Sequence, residues 1–192
     1  MERTSYVFLA NGFEEIEALT VVDVMRRAGM PVKTVSINSG DEVVGAHGVV
    51  VKADMLVSQG DYSAAEWLVA PGGMPGASNL AACGVLCDAL KAHNAKKGRI
   101  AAICAAPAVV LAPLGILDGK KATCYPSFED HINESSLVAE PVVVSDNVVT
   151  GNGPAAAMNF ALAIVGLSHG EEQAYEIASG MLLRPTQQHI YF

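Results

Sequence analysis

The feature that most constrains this chain is a set of short, wholly apolar runs, each followed by a stretch with helical periodicity. Tyr6-Val7-Phe8-Leu9-Ala10, Trp67-Leu68-Val69-Ala70 and, after Arg99, Ile100-Ala101-Ala102-Ile103 are such runs, and Val32–Ile37, with Lys33, Thr34 and Ser36 in it, reads as a further strand. A strand that is apolar on both faces must be covered on both faces, which is the pattern of a mostly parallel sheet between helices. The stretch from about Glu14 to Ala28 carries Ala18, Val21, Val22 and Met25 at i, i+3, i+4 and i+7, one apolar stripe of a helix, and Gly29 ends it. One or two helices are expected over Ala77–Lys96. An Ala-rich helix containing Pro107 is expected after Ile103, and two more helices over Pro154–Ser168 and about Glu171–Leu183. Gly45-Ala46-His47-Gly48 reads as a turn leading into Val49–Val51, and Asp146-Asn147 as a hairpin turn between Val142–Ser145 and Val148–Thr150. No repeat or linker interrupts the 192 residues, so one domain over 1–192 is expected.

Composition narrows the partners. Hydrophobic residues make up 51% of the chain, enough for a core on both sides of a sheet, and the formal net charge is −8. An acidic chain is a poor ligand for phosphate backbones, which speaks against nucleic acid. No targeting segment is visible and no apolar run is long enough to span a bilayer, so a cytoplasmic protein without a membrane partner is expected. Its four cysteines, Cys83, Cys87, Cys104 and Cys124, then read as thiols rather than as a disulfide framework. Cys83 and Cys87 stand at i, i+4 with no second pair, so packing explains them better than metal binding. No metal and no cofactor are expected.

In a doubly wound sheet, ligands bind beyond the carboxyl ends of the strands. Three segments should meet there: Asn11–Glu17, Gly72–Met74 and Cys104–Ala106. Cys104 sits where a strand turns into a helix, the position of a nucleophile elbow. A helix N-terminus stabilises a thiolate and lowers a thiol's pKa from about 8.5. A small buried packing thiol fits the same context equally well. Glu14, Glu15 and Glu17 open the first helix, where the helix dipole alone favours acids, and that suffices for Glu15. Glu17 lies at the edge of the apolar stripe. Desolvation there would favour its protonated form, able to hydrogen-bond a thiolate and carry a proton. The glycines of Pro71-Gly72-Gly73 allow close backbone approach, and the N–H groups of Gly73 and Ala105 could hold an oxyanion on Cys104. His169-Gly170-Glu171 mimics part of a Cys–His–Glu triad. A helix of about 14 residues would, however, carry His169 roughly 21 Å from the strand ends. His93 is expected on a solvated helix face and His189 in the tail; His131 has no assigned role.

Together these pieces resemble the ThiJ/PfpI superfamily, most closely the branch of the parkinsonism-associated protein DJ-one and its bacterial relatives. The resemblance rests on Asn11-Gly12-Phe13-Glu14-Glu15-Ile16-Glu17, Asp23–Gly29, Ala70-Pro71-Gly72-Gly73, Ala101–Pro107, and Gly151-Asn152-Gly153-Pro154 with Phe160–Val165. It implies a flavodoxin-like α/β sandwich and a homodimer. It implies Cys104 as reactive cysteine, Glu17 as the protonated carboxyl beside it, and Gly73 and Ala105 as the oxyanion hole. The substrate pocket would be lined by Glu14, Gly72, Met74, Tyr125 and Pro154, with Arg27 and His47 reaching toward the partner subunit's site. His47 stands where the human member has arginine. Tyr125 stands where some members carry a histidine, which speaks against strong hydrolase or protease activity. The implied function is turnover of a small reactive carbonyl, as a glyoxalase or deglycase converting methylglyoxal to lactate. The alternatives are an oxidative-stress sensor working through Cys104 oxidation and a redox-regulated chaperone. The tail Thr186–Phe192 has no assignment.

Overall fold

The structure, a computed structural model, describes residues 3–133 and 136–183. His189 and the tail Thr186–Phe192 lie outside the described residues. In chain order the elements are β1 (Ser5–Leu9), α1 (Glu15–Arg27), β2 (Val32–Ser36), β3 (Glu42–Val44), β4 (Val50–Lys52) and β5 (Met55–Leu56). There follow β6 (Trp67–Ala70), α2 (Gly76–Ala81), α3 (Gly84–Ala95), β7 (Arg99–Ile103), β8 (Val142–Ser145), β9 (Val148–Gly151), α4 (Ala157–His169) and α5 (Glu171–Gly180). Seven strands form one sheet in the order β5-β2-β1-β6-β7-β9-β8, and β3 and β4 form a separate antiparallel hairpin. All pairs in the large sheet are parallel except β8 with β9. This is the doubly wound, flavodoxin-like α/β arrangement.

The apolar runs are unbroken because alternate side chains enter different cores. In β1, Val7 and Leu9 join the core under α1 and α4, together with Val69, Ala101 and Val149. Phe8 joins Val35, Leu68, Ile100 and Val148 on the opposite face, under Leu80 of α2 and Leu86 and Leu90 of α3. The central strands β1, β6 and β7 thus bury apolar side chains on both sides.

Two expectations need correction, the regular helix after Cys104 and the solvated His93. The segment after Cys104 is not a regular helix: one π turn, Pro107–Leu111, runs into a 3-10 turn, Ala112–Leu114. Pro107, at the first position of its turn, costs no helical bond, but Pro113 removes an amide donor further on, so the ladder cannot continue. His93 is buried rather than solvated, 6% exposed, with its ring against the backbone of Gly98. The short strands β3 and β5 add to the pattern; Glu42–Val44 has too few apolar residues to stand out. The 77–96 region is two helices, broken before Cys83, which takes an extended conformation (φ −82°, ψ 100°) as the N-cap of α3. Exposed His169 at the end of α4 is where the spacing places it.

Candidate active site

β1, β6 and β7 are adjacent in the sheet, so the segments following them meet at one edge. Cys104 follows β7 directly and has φ +65°, in the left-handed region. For a residue with a Cβ this costs about 1–3 kcal/mol and persists only where the surroundings impose it. Here the backbone is held on both sides. The Cys104 N–H donates to the Gly151 carbonyl at 2.9 Å, and its carbonyl accepts the Tyr125 N–H at 2.8 Å. The turn places the sulfur beside the backbone N–H groups of Gly73 and Ala105, whose dipoles favour its thiolate.

Glu17 comes to the same place from the first turn of α1 and is completely buried. Its Oε2 accepts the Gly72 N–H at 2.8 Å. Its Oε1 is buried without a partner that meets hydrogen-bond geometry, and the remaining polar group acting on the carboxyl is the Cys104 thiol. Gly72 is the spacer. A Cβ on it would lie 2.5 Å from Cys104 Cβ and 2.7 Å from Glu17 Oε2, so only glycine lets the two side chains close on each other. Gly73, at φ +85°, also has no room for a Cβ, which would strike the Glu14 nitrogen and the Gly12 carbonyl.

Burial pushes Glu17 up to about 7; the Gly72 N–H and the Cys104 thiol pull it back, and the Glu14 charge adds to the rise. Burial and then the Glu17 charge push Cys104 up to about 12, against the Gly73 and Ala105 N–H groups. The expected lowering of the thiol is therefore reversed. Cys104 is 8% exposed, an acid faces it, and the π turn after it lacks the aligned amides of a regular helix. Between about 7 and about 12 the two groups hold one proton between them. Thiol with carboxylate, and thiolate with carboxylic acid, are then states of equal charge that differ only in where the proton lies.

The structure brings Cys104, Glu17, Gly72, Gly73 and Ala105 together. Met74 adjoins Gly73 at 47% exposure, through a cis bond to Pro75. Tyr125, 44% exposed, packs its ring beside Gly153, next to Pro154. Glu14 is buried, its N–H donating to the Gly72 carbonyl at 3.0 Å. Arg27 is not in the site of its own chain. It lies ten residues beyond Glu17, about 15 Å along α1, and pairs with Asp23 at 2.7 Å. His47 bonds Glu15 of its own chain, Nδ1 to Oε2 at 2.8 Å. Glu15 was assigned only to the helix dipole, yet its Oε1 also accepts the His47 N–H at 2.8 Å and so ties the β3–β4 turn to α1. Gly151, whose carbonyl positions Cys104, was missed as well; its signal was the glycine directly after a buried strand.

Comparison with known proteins converges on one family. The model of the DJ-1/PfpI family matches residues 3–167. Protein dj-1beta of Drosophila melanogaster is 37% identical over 185 residues, covering 95% of this chain and 98% of the relative. The glutathione-independent glyoxalase DJR-1.2 of Caenorhabditis elegans is 34% identical over 172 residues, covering 88% of this chain and 90% of the relative. The oxidized DJ-1 structure from Toxoplasma gondii superposes with a TM-score of 0.91 at 40% identity, covering 94% of this chain and 98% of that one. The chain spans only 40% and 47% of the lengths of Arabidopsis thaliana DJ-1 homologs B and A.

Proposed function

The chain belongs to the DJ-1/PfpI family, and on that footing we propose that it is a cysteine-dependent enzyme acting on small reactive carbonyls, converting methylglyoxal to lactate without a cofactor. The observation that carries the reading is the closing of the Cys104 and Glu17 side chains on each other across Gly72, with the Gly73 and Ala105 N–H groups beside the sulfur. A relative named as a glutathione-independent glyoxalase supports the substrate class.

The pair can run the reaction with its own proton. Transfer of the thiol proton to Glu17 creates the thiolate with no net change of charge. The sulfur attacks the aldehyde carbon, and the carbonyl electrons move to oxygen, held by the Gly73 and Ala105 N–H groups. That oxygen takes the Glu17 proton, giving a hemithioacetal. Glu17, now a carboxylate, removes the proton from the same carbon, the C–H electrons forming the double bond of an enediolate, and returns it to the neighbouring carbon while the hydroxyl proton on the first carbon passes to the oxygen on the second. The result is a lactoyl thioester on Cys104. Water attacks the thioester carbon, the C–S bond breaks, and lactate leaves with the thiol restored.

Oxidation sensing is the second reading. The same two N–H groups and a protonated Glu17 would hold the oxygens of a Cys104 sulfinate. As to assembly, a homodimer is proposed through the exposed apolar side chains of Ile16, Leu19, Val44, Val49 and Val50 on α1 and the β3–β4 hairpin. No helix among the described residues is long and apolar enough to cross a membrane. The cytoplasm is proposed as the compartment, since the four cysteines are free thiols.

The test is lactate formation from methylglyoxal, measured directly as product, with wild type and Cys104→Ala. Turnover by the wild type that falls at least a hundredfold in the variant is expected. Equal lactate from both proteins removes Cys104 from the chemistry. Absence of turnover in the wild type, with clean conversion of Cys104 to sulfinate by peroxide, favours the sensor.

A further inference from the structure

The charges of the chain are divided between the two ends of the sheet. Arg3 stands just before β1, Lys33 near the amino end of β2 and Arg99 at the amino end of β7. Lys97 and Lys120 act on Asp146 in the β8–β9 turn, at the same end, and the Lys121 N–H donates to Ser145 Oγ beside it. Lys91 and Lys96 belong to the second half and the end of α3, which runs toward the start of β7. Arg26, Arg27 and Lys52 are each paired with an acid, Asp54 at 2.8 Å, Asp23 at 2.7 Å and Asp41 at 3.4 Å. These are all the lysines and arginines among the described residues, and none falls in the segments 10–17, 71–76, 104–107, 123–126 and 152–154 that gather about Cys104.

Acids stand where the cations are missing. Glu14 and Glu15 open α1 one turn before Glu17, and Glu129, four residues after Tyr125, accepts the Ser127 N–H at 2.6 Å. The Glu14 charge is felt at Glu17. Its side chain is only 11% exposed, so water and salt screen it weakly. His47 lies 3.6 Å from Glu14 Oε2 and bonds Glu15 Oε2 at 2.8 Å, and when protonated it offsets one of these two carboxylates. The Gly73 and Ala105 N–H groups lie beside the sulfur, where they serve the oxyanion that forms on the attacked carbon. A permanent carboxylate or phosphate elsewhere on a substrate meets acids and no cation. A second copy of the chain does not reverse this. Arg27 and His47 come with acids of their own, Asp23 and Glu15, and a second chain adds another formal charge of −8.

We propose that the Cys104 site selects by charge, with Glu14 as a specificity-determining residue: it admits uncharged reactive carbonyls and turns away carbonyl compounds that carry a carboxylate or phosphate. The substrate class rests on the carbonyl reading above, whereas the exclusion of anions rests on where the charges lie. Two costs act together. An anion that approaches a sulfur only 8% exposed sheds part of its hydration shell and finds no cation to replace it. Repulsion by Glu14 and by the charge of the Cys104–Glu17 pair grows as water is excluded between them. An uncharged dicarbonyl meets neither cost. Its negative charge arises only during attack, on the one oxygen that faces the Gly73 and Ala105 N–H groups.

The test compares iodoacetamide with iodoacetate, two alkylating reagents of nearly equal size, on the full chain at pH 8 and low salt, with mass spectrometry of the Cys104 peptide. The ratio of the two rates in the folded protein is divided by the same ratio in the urea-unfolded chain. The thiolate fraction enters both rates and cancels, so the quotient reads charge exclusion. A preference for iodoacetamide of at least tenfold is expected. Glu14→Gln should cut that preference at least threefold. Glu171→Gln should not, since it makes the same change of charge on α5, which bonds the far end of α1 through Gln173 and Ala28. Circular dichroism checks that both variants are folded, and the wild-type preference stands without either. A second arm reads turnover: kcat/KM for methyl 4,5-dioxopentanoate should exceed that for 4,5-dioxopentanoate at least tenfold. A quotient near one in the wild type, a preference unchanged by Glu14→Gln, or equal turnover of ester and acid would overturn the proposal. Turnover of neither dicarbonyl would remove the carbonyl reading, and the alkylation quotient would still decide the exclusion of anions.

Discussion

At neutral pH Glu17 stands near its midpoint, because burial raises its carboxyl to about 7. That rise has a consequence for stability. The ordinary value is 4.5, so the folded state holds the proton more tightly than the unfolded chain does. Stability from this source is full below 4.5, declines as the pH rises, and is lost above about 7, a difference of about 3 kcal/mol. Glu17→Gln keeps an oxygen for the Gly72 N–H and has nothing to titrate. Its melting temperature should exceed that of wild type at pH 8, with the gain shrinking toward pH 5; a constant offset across that range would show that Glu17 does not carry the raised value. The burial behind this behaviour was legible, since Glu17 sits on the edge of the Ala18–Val21–Met25 stripe. The direction of the Cys104 shift was not. It depends on an acid 87 residues away in sequence and on the irregular turn after the cysteine, neither of which local spacing reveals.

Among the elements, the strand-to-turn junctions carry the site, and Gly72 is the tightest of them. Gly72→Ala would drive a Cβ to 2.5 Å from Cys104 Cβ and 2.7 Å from Glu17 Oε2. The variant should lose about 1–3 kcal/mol of stability, as overpacked cores do. It should also lose carbonyl turnover by at least tenfold, because the two side chains must part. Chemical denaturation and lactate assays read the two losses, and an unchanged variant would mean that the site is looser than its geometry. The central strands were readable at once, since runs apolar on both faces have no other way to be covered. The β3–β4 hairpin was only half readable. Its turn has glycines at both ends, but what holds the turn to α1 is a side-chain bond between Glu15 and His47, 32 residues apart. Periodicity reports the elements and says nothing of such ties. His93 is a different case: it stands at i+7 from Leu86 and i+3 from Leu90 on the buried stripe of α3, so its burial follows the pattern of the helix.

For the whole molecule, one face differs from the rest. Ile16 is 56% exposed and Val50 57% exposed, and Leu19 of α1 and Val44 and Val49 of the hairpin region are exposed as well. A second copy of the chain is the proposed cover. Light scattering at micromolar concentration should give twice the 20.0 kDa chain mass, and Val50→Glu should reduce it to one chain. A wild type that stays at one chain mass would contradict the homodimer. The doubly wound architecture itself followed from alternation of strand and helix, and that topology is what brings residues 14–17, 72–73 and 104–105 to one edge. The central claim is that Cys104 and Glu17 share one proton there. The most direct measurement is the rate of Cys104 alkylation by iodoacetamide as a function of pH, in wild type and Glu17→Gln, followed by mass spectrometry of the Cys104 peptide. The wild-type rate should rise through an inflection near 7, where the pair gives up its first proton, and that inflection should disappear in Glu17→Gln; the same inflection in both proteins would contradict the shared proton.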